Sequence, residues 1–422
     1  MLVFTSEVDQ NKYLPVGGKE VHAVVTVTAT AGAAEAGPRA AGPAEAAEVI
    51  MLDCSGSMGG EKIVEARRAA AAAIDTLRDG VSFGVVQGEG FARMIYPEHK
   101  GLAVSSPTTR EQAKRAVGRM QAGGGTTIAT WLQLTRELMM TRPDAIHHAI
   151  LLTDGQTSTG GLAEALTACE GVFQCDCRGV GADWNVDQLR AIATKLLGTV
   201  ELVRQPGEMA ADFRAMIETA LGRGVDKVSL RLWAPRGATV RFVRQVLPEA
   251  DDLTERATDA GPLTRDYPTG AWGADTRAYH VCVEVPPGPV NKEKLAARVS
   301  LVVGDEVLST AKVLAAWTDQ IELSTRLDKV VAHYTGQAEL AQAVQDGLRA
   351  WTDGLAQTAA THLGKAARLA TEAGHTAALD LLAKVVDIED AGTEKVTLRR
   401  SAEKLDKMDL DASSQKTVPA RR

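Results

Sequence analysis

No stretch of the 422-residue sequence approaches the roughly 20 consecutive apolar residues that span a bilayer. The opening run, Met1-Leu-Val-Phe-Thr-Ser-Glu-Val-Asp9, lacks a basic segment followed by an apolar core, so no secretory signal is read there. Cytoplasm is therefore the expected location. A basic excess is missing as well. The formal net charge of -7 leaves nothing to neutralise nucleic-acid phosphates, and no nucleic-acid or membrane partner is expected.

Cysteines are few and odd in number: Cys54, Cys169, Cys175, Cys177 and Cys282 do not space as a disulfide framework. Cys175-Asp-Cys177 sits in a run that reads as a strand, with no second cysteine pair or histidine cluster beside it. Buried free thiols are favoured there over a zinc site. No Gly-x-x-x-x-Gly-Lys-Ser/Thr phosphate loop occurs. A nucleophile elbow fails too, because Ser55 stands where Gly-x-Ser-x-Gly around Ser57 needs its first glycine.

What remains is an ordinary globular composition, 45% hydrophobic and 24% charged, in a chain long enough for two or three domains. One stretch organises it. Glu48-Val-Ile-Met-Leu-Asp-Cys-Ser-Gly-Ser-Met58 runs from a mostly apolar segment into an acidic turn of small hydroxyl residues, and a helical run follows. This reads as a buried parallel strand, a loop and a crossover helix. Asp53, Ser55 and Ser57 place three oxygen side chains at alternate positions that one tight loop can turn toward a common point. Such hard donors suit Mg²⁺ or Mn²⁺, not zinc or copper. Cys54, at the variable position, is read as packed behind the loop.

Two further segments add to it. Gly123-Gly-Gly-Thr-Thr127 sets a hydroxyl after a glycine run, and Ala149-Ile-Leu-Leu-Thr-Asp-Gly155 is a second apolar strand ending in an acid and a glycine. Asp-x-Ser-x-Ser, then Gly-Gly-Thr, then Thr-Asp-Gly resembles the von Willebrand factor A (VWA) family and its metal-ion-dependent adhesion site (MIDAS), over roughly residues 48–222. The resemblance implies that Ser55, Ser57 and Thr126 coordinate a metal through neutral hydroxyls, with Asp53 and Asp154 binding directly or through waters. Mg²⁺ is the implied ion, with Mn²⁺ or Ca²⁺ as alternatives. The resemblance further implies a rim that includes Gly125 and Gly155, and a partner protein whose Glu or Asp completes the metal shell.

Along the chain, 1–30 contributes a β-branched strand at 20–28, and 31–47 is an Ala/Gly/Pro tract read as a flexible linker. Strands and helices alternate over 48–222, which calls for an α/β fold with a doubly wound, mostly parallel sheet. Ligands bind such sheets beyond the carboxyl ends of the strands, where Asp53 and Asp154 both fall. Strands of alternating polarity over 226–320 read as an antiparallel β-sandwich that the early strand joins, so the parallel-sheet domain is inserted in or flanked by it. Helical spacing covers 325–406, including a last run at 393–405. Residues 407–422 are polar and expected to be disordered. Ser413, Ser414 and Thr417 there lie near basic residues. A phosphorylated tail read by an arginine-lined phosphopeptide module is weighed against a plain solvated tail, and the solvated tail is favoured.

Gly179-Val-Gly-Ala-Asp-Trp-Asn-Val-Asp187 follows a strand at the same sheet edge. Asp183 and Trp184 are therefore candidates for the rim, with Trp184 as an interface anchor. The favoured alternative is a loop in which Asn185 or Asp183 caps the helix from 186. A metal-dependent hydrolase or phosphatase using Asp53 is the competing function, and a scaffold with a purely structural metal is a third. The hydrolase needs a second acid two residues on, where Ser55 stands, and a general base. His147 and His148 precede the strand whose far end carries Asp154, so they are expected at the opposite edge, as surface residues. The expected function is a non-enzymatic, Mg²⁺-dependent protein-binding module.

Overall fold

The computed structural model of the protein describes residues 2–32, 45–158 and 160–420. Most of the linker expected at 31–47 lies outside the described residues. The chain divides into two compact units, one of residues 35–226 and one formed by 1–34 together with 227–422.

Three strands come first: β1 (Leu2–Gln10), β2 (Tyr13–Pro15) and β3 (Glu20–Ala31). The unit of residues 35–226 then runs β4 (Ala46–Asp53), α1 (Glu61–Thr76), β5 (Ser82–Gly88), β6 (Ala92–Tyr96), β7 (Ala103–Val104), α2 (Pro107–Val117), α3 (Ile128–Met139) and β8 (Ile146–Thr153). It closes with α4 (Leu162–Cys169), β9 (Gln174–Val180), α5 (Val186–Lys195), β10 (Val200–Val203) and α6 (Met209–Leu221). The sheet order is β10-β9-β8-β4-β5-β6, with β7 also on β5. All neighbours from β10 to β5 are parallel, while β6 and β7 are antiparallel.

β4 is buried almost throughout, which explains its unbroken apolar run: a strand covered on both faces has no polar side to show. The alanines of α1, Ala66, Ala69, Ala70 and Ala73, have no exposure and pack with Phe213 and Ile217 of α6. Small side chains let the two helices approach closely. Chain direction places β5 on one side of β4 and β8 on the other. The switch in strand order therefore lies between β4 and β8, whose carboxyl ends carry Asp53 and Thr153.

The other unit adds β11 (Val225–Trp233), β12 (Thr239–Leu247), β13 (Asp251–Asp252), β14 (Thr258–Gly261), β15 (Thr264–Trp272), β16 (Thr276–Glu284), β17 (Glu293–Val303) and β18 (Glu306–Thr318). One sheet is ordered β1-β3-β16-β12-β13 and the other β14-β15-β11-β17-β18-β2. The pairs β1–β3, β3–β16, β16–β12, β12–β13, β14–β15, β11–β17 and β17–β18 are antiparallel, and β18 runs parallel to β2. Phe4 meets Trp272 edge-on at 5.7 Å between the sheets, and Ser6 Oγ lies 2.7 Å from Ser309 Oγ. The early strand β3 pairs with β16 from Glu20↔Glu284 to Thr28↔Thr276.

Helices follow: α7 (Ile321–Ser324), α8 (Lys329–Thr352), α9 (Ala356–Ala373) and α10 (Thr376–Val385), then β19 (Val386–Asp390), β20 (Lys395–Leu398) and α11 (Lys404–Ala412). The first turns of α8 lay Val330, Val331 and Tyr334 against Val24, Val246 and Ala278 of the sheet. Two expectations fail here. The run at 393–405 is not one helix, because Val396 and Thr397 pair back on β19 across a turn at Asp390-Ala-Gly392. Nor are residues 407–420 of the expected disordered tail without structure. Thr417 donates its hydroxyl to the carbonyls of Val246 and Pro248, the Val418 N–H donates to Gln337, and Ser414 is buried with its Oγ accepting from Gln345. Backbone and side-chain hydrogen bonds hold a segment that has too few apolar residues to announce itself. Ser414 and Thr417 are therefore bonded within the fold.

Candidate metal centre

Asp53 ends β4 and has no exposed surface. Its Oδ1 accepts the Ser55 N–H at 2.7 Å, a turn that brings Ser55 back over the strand end. Its Oδ2 accepts the hydroxyl of Thr153, the last residue of the neighbouring β8. Ser55 Oγ lies 3.0 Å from Ser57 Oγ, and Ser57 donates to Asp154 Oδ1 at 2.7 Å. Asp154, equally buried, receives the Lys62 ammonium on Oδ2. The three residues of the Asp-x-Ser-x-Ser loop and the acid after β8 thus form one connected group.

The glycine loop closes over it. The Gly56 N–H donates to the Gly124 carbonyl at 3.1 Å, and the Gly123 N–H donates to the Cys54 carbonyl at 2.6 Å. Thr127 N–H and the Trp131 indole N–H both donate to the Glu89 carbonyl, anchoring the far side of that loop. A Cβ on Gly155 would stand 3.5 Å from Thr126 Oγ1 and 3.6 Å from Ser57 Oγ, so both hydroxyls gather around Gly155. Gly125 and Ser57 are exposed, and Thr126 and Gly155 are half-buried. All five candidate ligand residues come together at one edge, with carboxylates beneath and hydroxyls above.

The donor set fits a hard divalent cation. It offers two carboxylates and three hydroxyls, all oxygen, and among the described residues no three His, Cys, Asp or Glu side chains are grouped to hold a metal in another way. Burial dominates the Asp53 carboxyl and raises its pKa, against the lowering by its bonds from Thr153 and Ser55 and with the negative Asp154 adding to the rise. A nearby cation relieves that cost. Burial also pushes the Cys54 thiol up to about 12, with Asp53 adding, so Cys54 is a protonated thiol behind the loop.

Comparison with known proteins adds the lineage. The von Willebrand factor type A domain profile matches residues 49–201, and the von Willebrand factor type A C-terminal domain profile matches 368–414. A solved von Willebrand factor type A protein from Catenulispora acidiphila is 47% identical, with 99% of this chain and 97% of that one covered at a TM-score of 0.93. The chain belongs to the von Willebrand factor type A family. An uncharacterized protein of Synechocystis sp. is 30% identical over 216 residues, 49% of this chain and 49% of that protein, so the match spans about half that relative's length. The ArnB paralog VWA2 from Sulfolobus acidocaldarius shares the fold at 14% identity and a TM-score of 0.59, covering 98% of each chain. VWA domains are commonly metal-dependent protein-interaction modules.

Around the VWA site, the expected rim needs one correction. Trp184 is a buried side chain, not an interface anchor. Its indole N–H donates to the Gly181 carbonyl, and its ring lies where a Cβ on Gly179 would come within 2.0 Å. Only glycine at 179 admits the ring. Asp183 is exposed, and Asn185 caps α5 by accepting the Gln188 N–H.

The histidines are corrected as well: His147 and His148 are buried, not surface residues. Both His147 ring nitrogens lie 2.7 Å from carbonyl oxygens, of Val172 and Arg142. His148 bridges Glu48, 2.9 Å from its Nδ1, and Asp176, 2.8 Å from its Nε2. Glu48 pairs with His148 across β4 and β8, five residues before Asp53, roughly 16 Å along the strand. Neither histidine can serve as a base at the site.

Two site residues escaped the sequence reading. Thr153 was visible only as the first letter of Thr-Asp-Gly. Lys62 carried a usable signal: a cation in the first turn of a helix sits against the helix dipole, and such a placement asks for an acid nearby.

Proposed function

We propose that the VWA unit is a Mg²⁺-dependent protein-binding module without enzymatic activity. Ser55, Ser57 and Thr126 would hold the ion through hydroxyls, with Asp53 and Asp154 supplying the negative charge directly or through water. Mn²⁺ or Ca²⁺ could replace Mg²⁺ on the same oxygen donors. The ion would supply an electrophilic position with much of its charge unquenched, for which a carboxylate is the best match. The partner is therefore a protein that offers a Glu or Asp side chain. Gly125, Gly155 and Asp183 shape the rim it would meet.

One observation carries the reading: two fully buried carboxylates lie under three hydroxyls at the strand-order switch, with the outer hydroxyls reachable from solvent. A hydrolase would need a general base there, and both histidines near the motif in sequence are committed at the other edge. The five cysteines are buried free thiols, which fits the cytoplasm. No helix among the described residues is long and apolar enough to cross a membrane.

Affinity capture from native lysate, in Mg²⁺ or in EDTA, with wild type and Asp53→Ala, tests the proposal. A partner retained only by wild type in Mg²⁺ is the expected result. Identical captures in every condition would contradict it.

A further inference from the structure

Lys62 is out of place for an ordinary surface lysine. It follows Glu61 in the first turn of α1, where the helix dipole repels a cation and where Gly60 caps the helix without a side-chain bond. Its side chain does not run to open solvent. The stem crosses Gly181, where a Cβ would stand 3.9 Å from Cε and 4.0 Å from Nζ, and the ammonium reaches Asp154 Oδ2. The lysine side chain keeps 27% exposure while the carboxylate keeps none. Asp154 thus divides its two oxygens between Ser57 and a fixed cation.

A divalent ion arriving among Asp53, Ser55, Ser57, Thr126 and Asp154 meets that cation at the same carboxylate. Two positive groups on one buried acid repel each other, and in a poorly solvated setting the repulsion is weakly screened. Either the ammonium withdraws from Asp154 or the metal accepts an acid already neutralised. Both weaken the hold on the metal.

We infer that Lys62 is a tethered cation that competes with the divalent ion for Asp154 and thereby sets how tightly the site holds metal. The inference rests on the reading of this site as a metal centre. With metal absent, Lys62 stabilises the acid that would otherwise stand buried and unpaired. With metal present, it opposes binding, so the centre fills only at higher ion concentration than its oxygen donors alone would require. The half-exposed stem gives the ammonium a path to solvent when the metal takes its place.

The test is calorimetric titration of Mn²⁺ into the full chain at low ionic strength, for wild type, Lys62→Met and Lys62→Arg, with thermal melts of each in EDTA and in Mn²⁺. Lys62→Met is expected to bind Mn²⁺ roughly tenfold more tightly, the scale of one charge-assisted bond. It should also melt lower than wild type in EDTA and show a larger melting increase on adding Mn²⁺. Lys62→Arg keeps the charge and should stay near wild type. A purely structural lysine would lower both melts equally and leave Mn²⁺ affinity unchanged. That result, or weaker binding by Lys62→Met, overturns the inference while leaving the metal centre intact. Absence of Mn²⁺ binding in all three proteins would remove the metal centre itself, and the inference with it.

Discussion

Thr153 donates its hydroxyl to Asp53 across the boundary between β8 and β4, so the last residue of one strand holds the last residue of the next. Asp53 is buried and pays for desolvation, and this bond, together with those from Ser55, favours its charged form. Thr153→Val keeps the shape and removes the donor. It should destabilise the VWA unit by about 1–3 kcal/mol. Metal affinity should fall by about 10–100-fold, as for loss of a group that orients a ligand. Chemical denaturation and Mn²⁺ titration of the variant check the two effects separately.

The buried Glu48–His148–Asp176 group makes stability depend on pH. Burial opposes the charged imidazole, yet the flanking Glu48 and Asp176 outweigh it and raise the His148 pKa from 6.5 to about 9. The folded value lies above the unfolded one. The stabilisation is therefore complete below about 6.5 and is lost as pH rises through about 9. The span amounts to roughly 3 kcal/mol at most. Hydrogen exchange at Ile150 and Leu151 of β8, corrected for intrinsic rates, should show protection free energy falling over that window. His148→Gln should flatten the profile.

Trp184 separates a rim from a core role. Trp184→Ala should cost about 3–5 kcal/mol, as for a large buried aromatic. In protein that remains folded, it should leave metal affinity near wild type. Urea denaturation followed by Mn²⁺ titration at low temperature reads both quantities.

Much of this architecture was legible because it is local or periodic. The apolar run before Asp53 announces a strand buried on both faces, and α/β alternation places strand ends at one edge, so the meeting of Asp53 and Asp154 followed from fold logic. What escaped depends on contacts between distant segments. His148 looks like a surface residue at a strand start until Glu48 and Asp176 arrive from neighbouring strands to pair with it. β15 carries Pro268 and Gly270, residues that argue against a strand, yet both fall on its less buried face and it pairs within its sheet. The segment after α11 has a disordered composition but is fixed by bonds to Val246, Pro248 and Gln337. Composition reports burial well and reports specific polar partners poorly.

The most direct measurement is a Mn²⁺ titration of wild type and Asp53→Ala by calorimetry at neutral pH. One ion per chain in wild type, with binding weakened about 100-fold or more in the variant, is the predicted result. Equal affinity in both proteins, or no saturable binding in wild type, would contradict a metal centre built on Asp53.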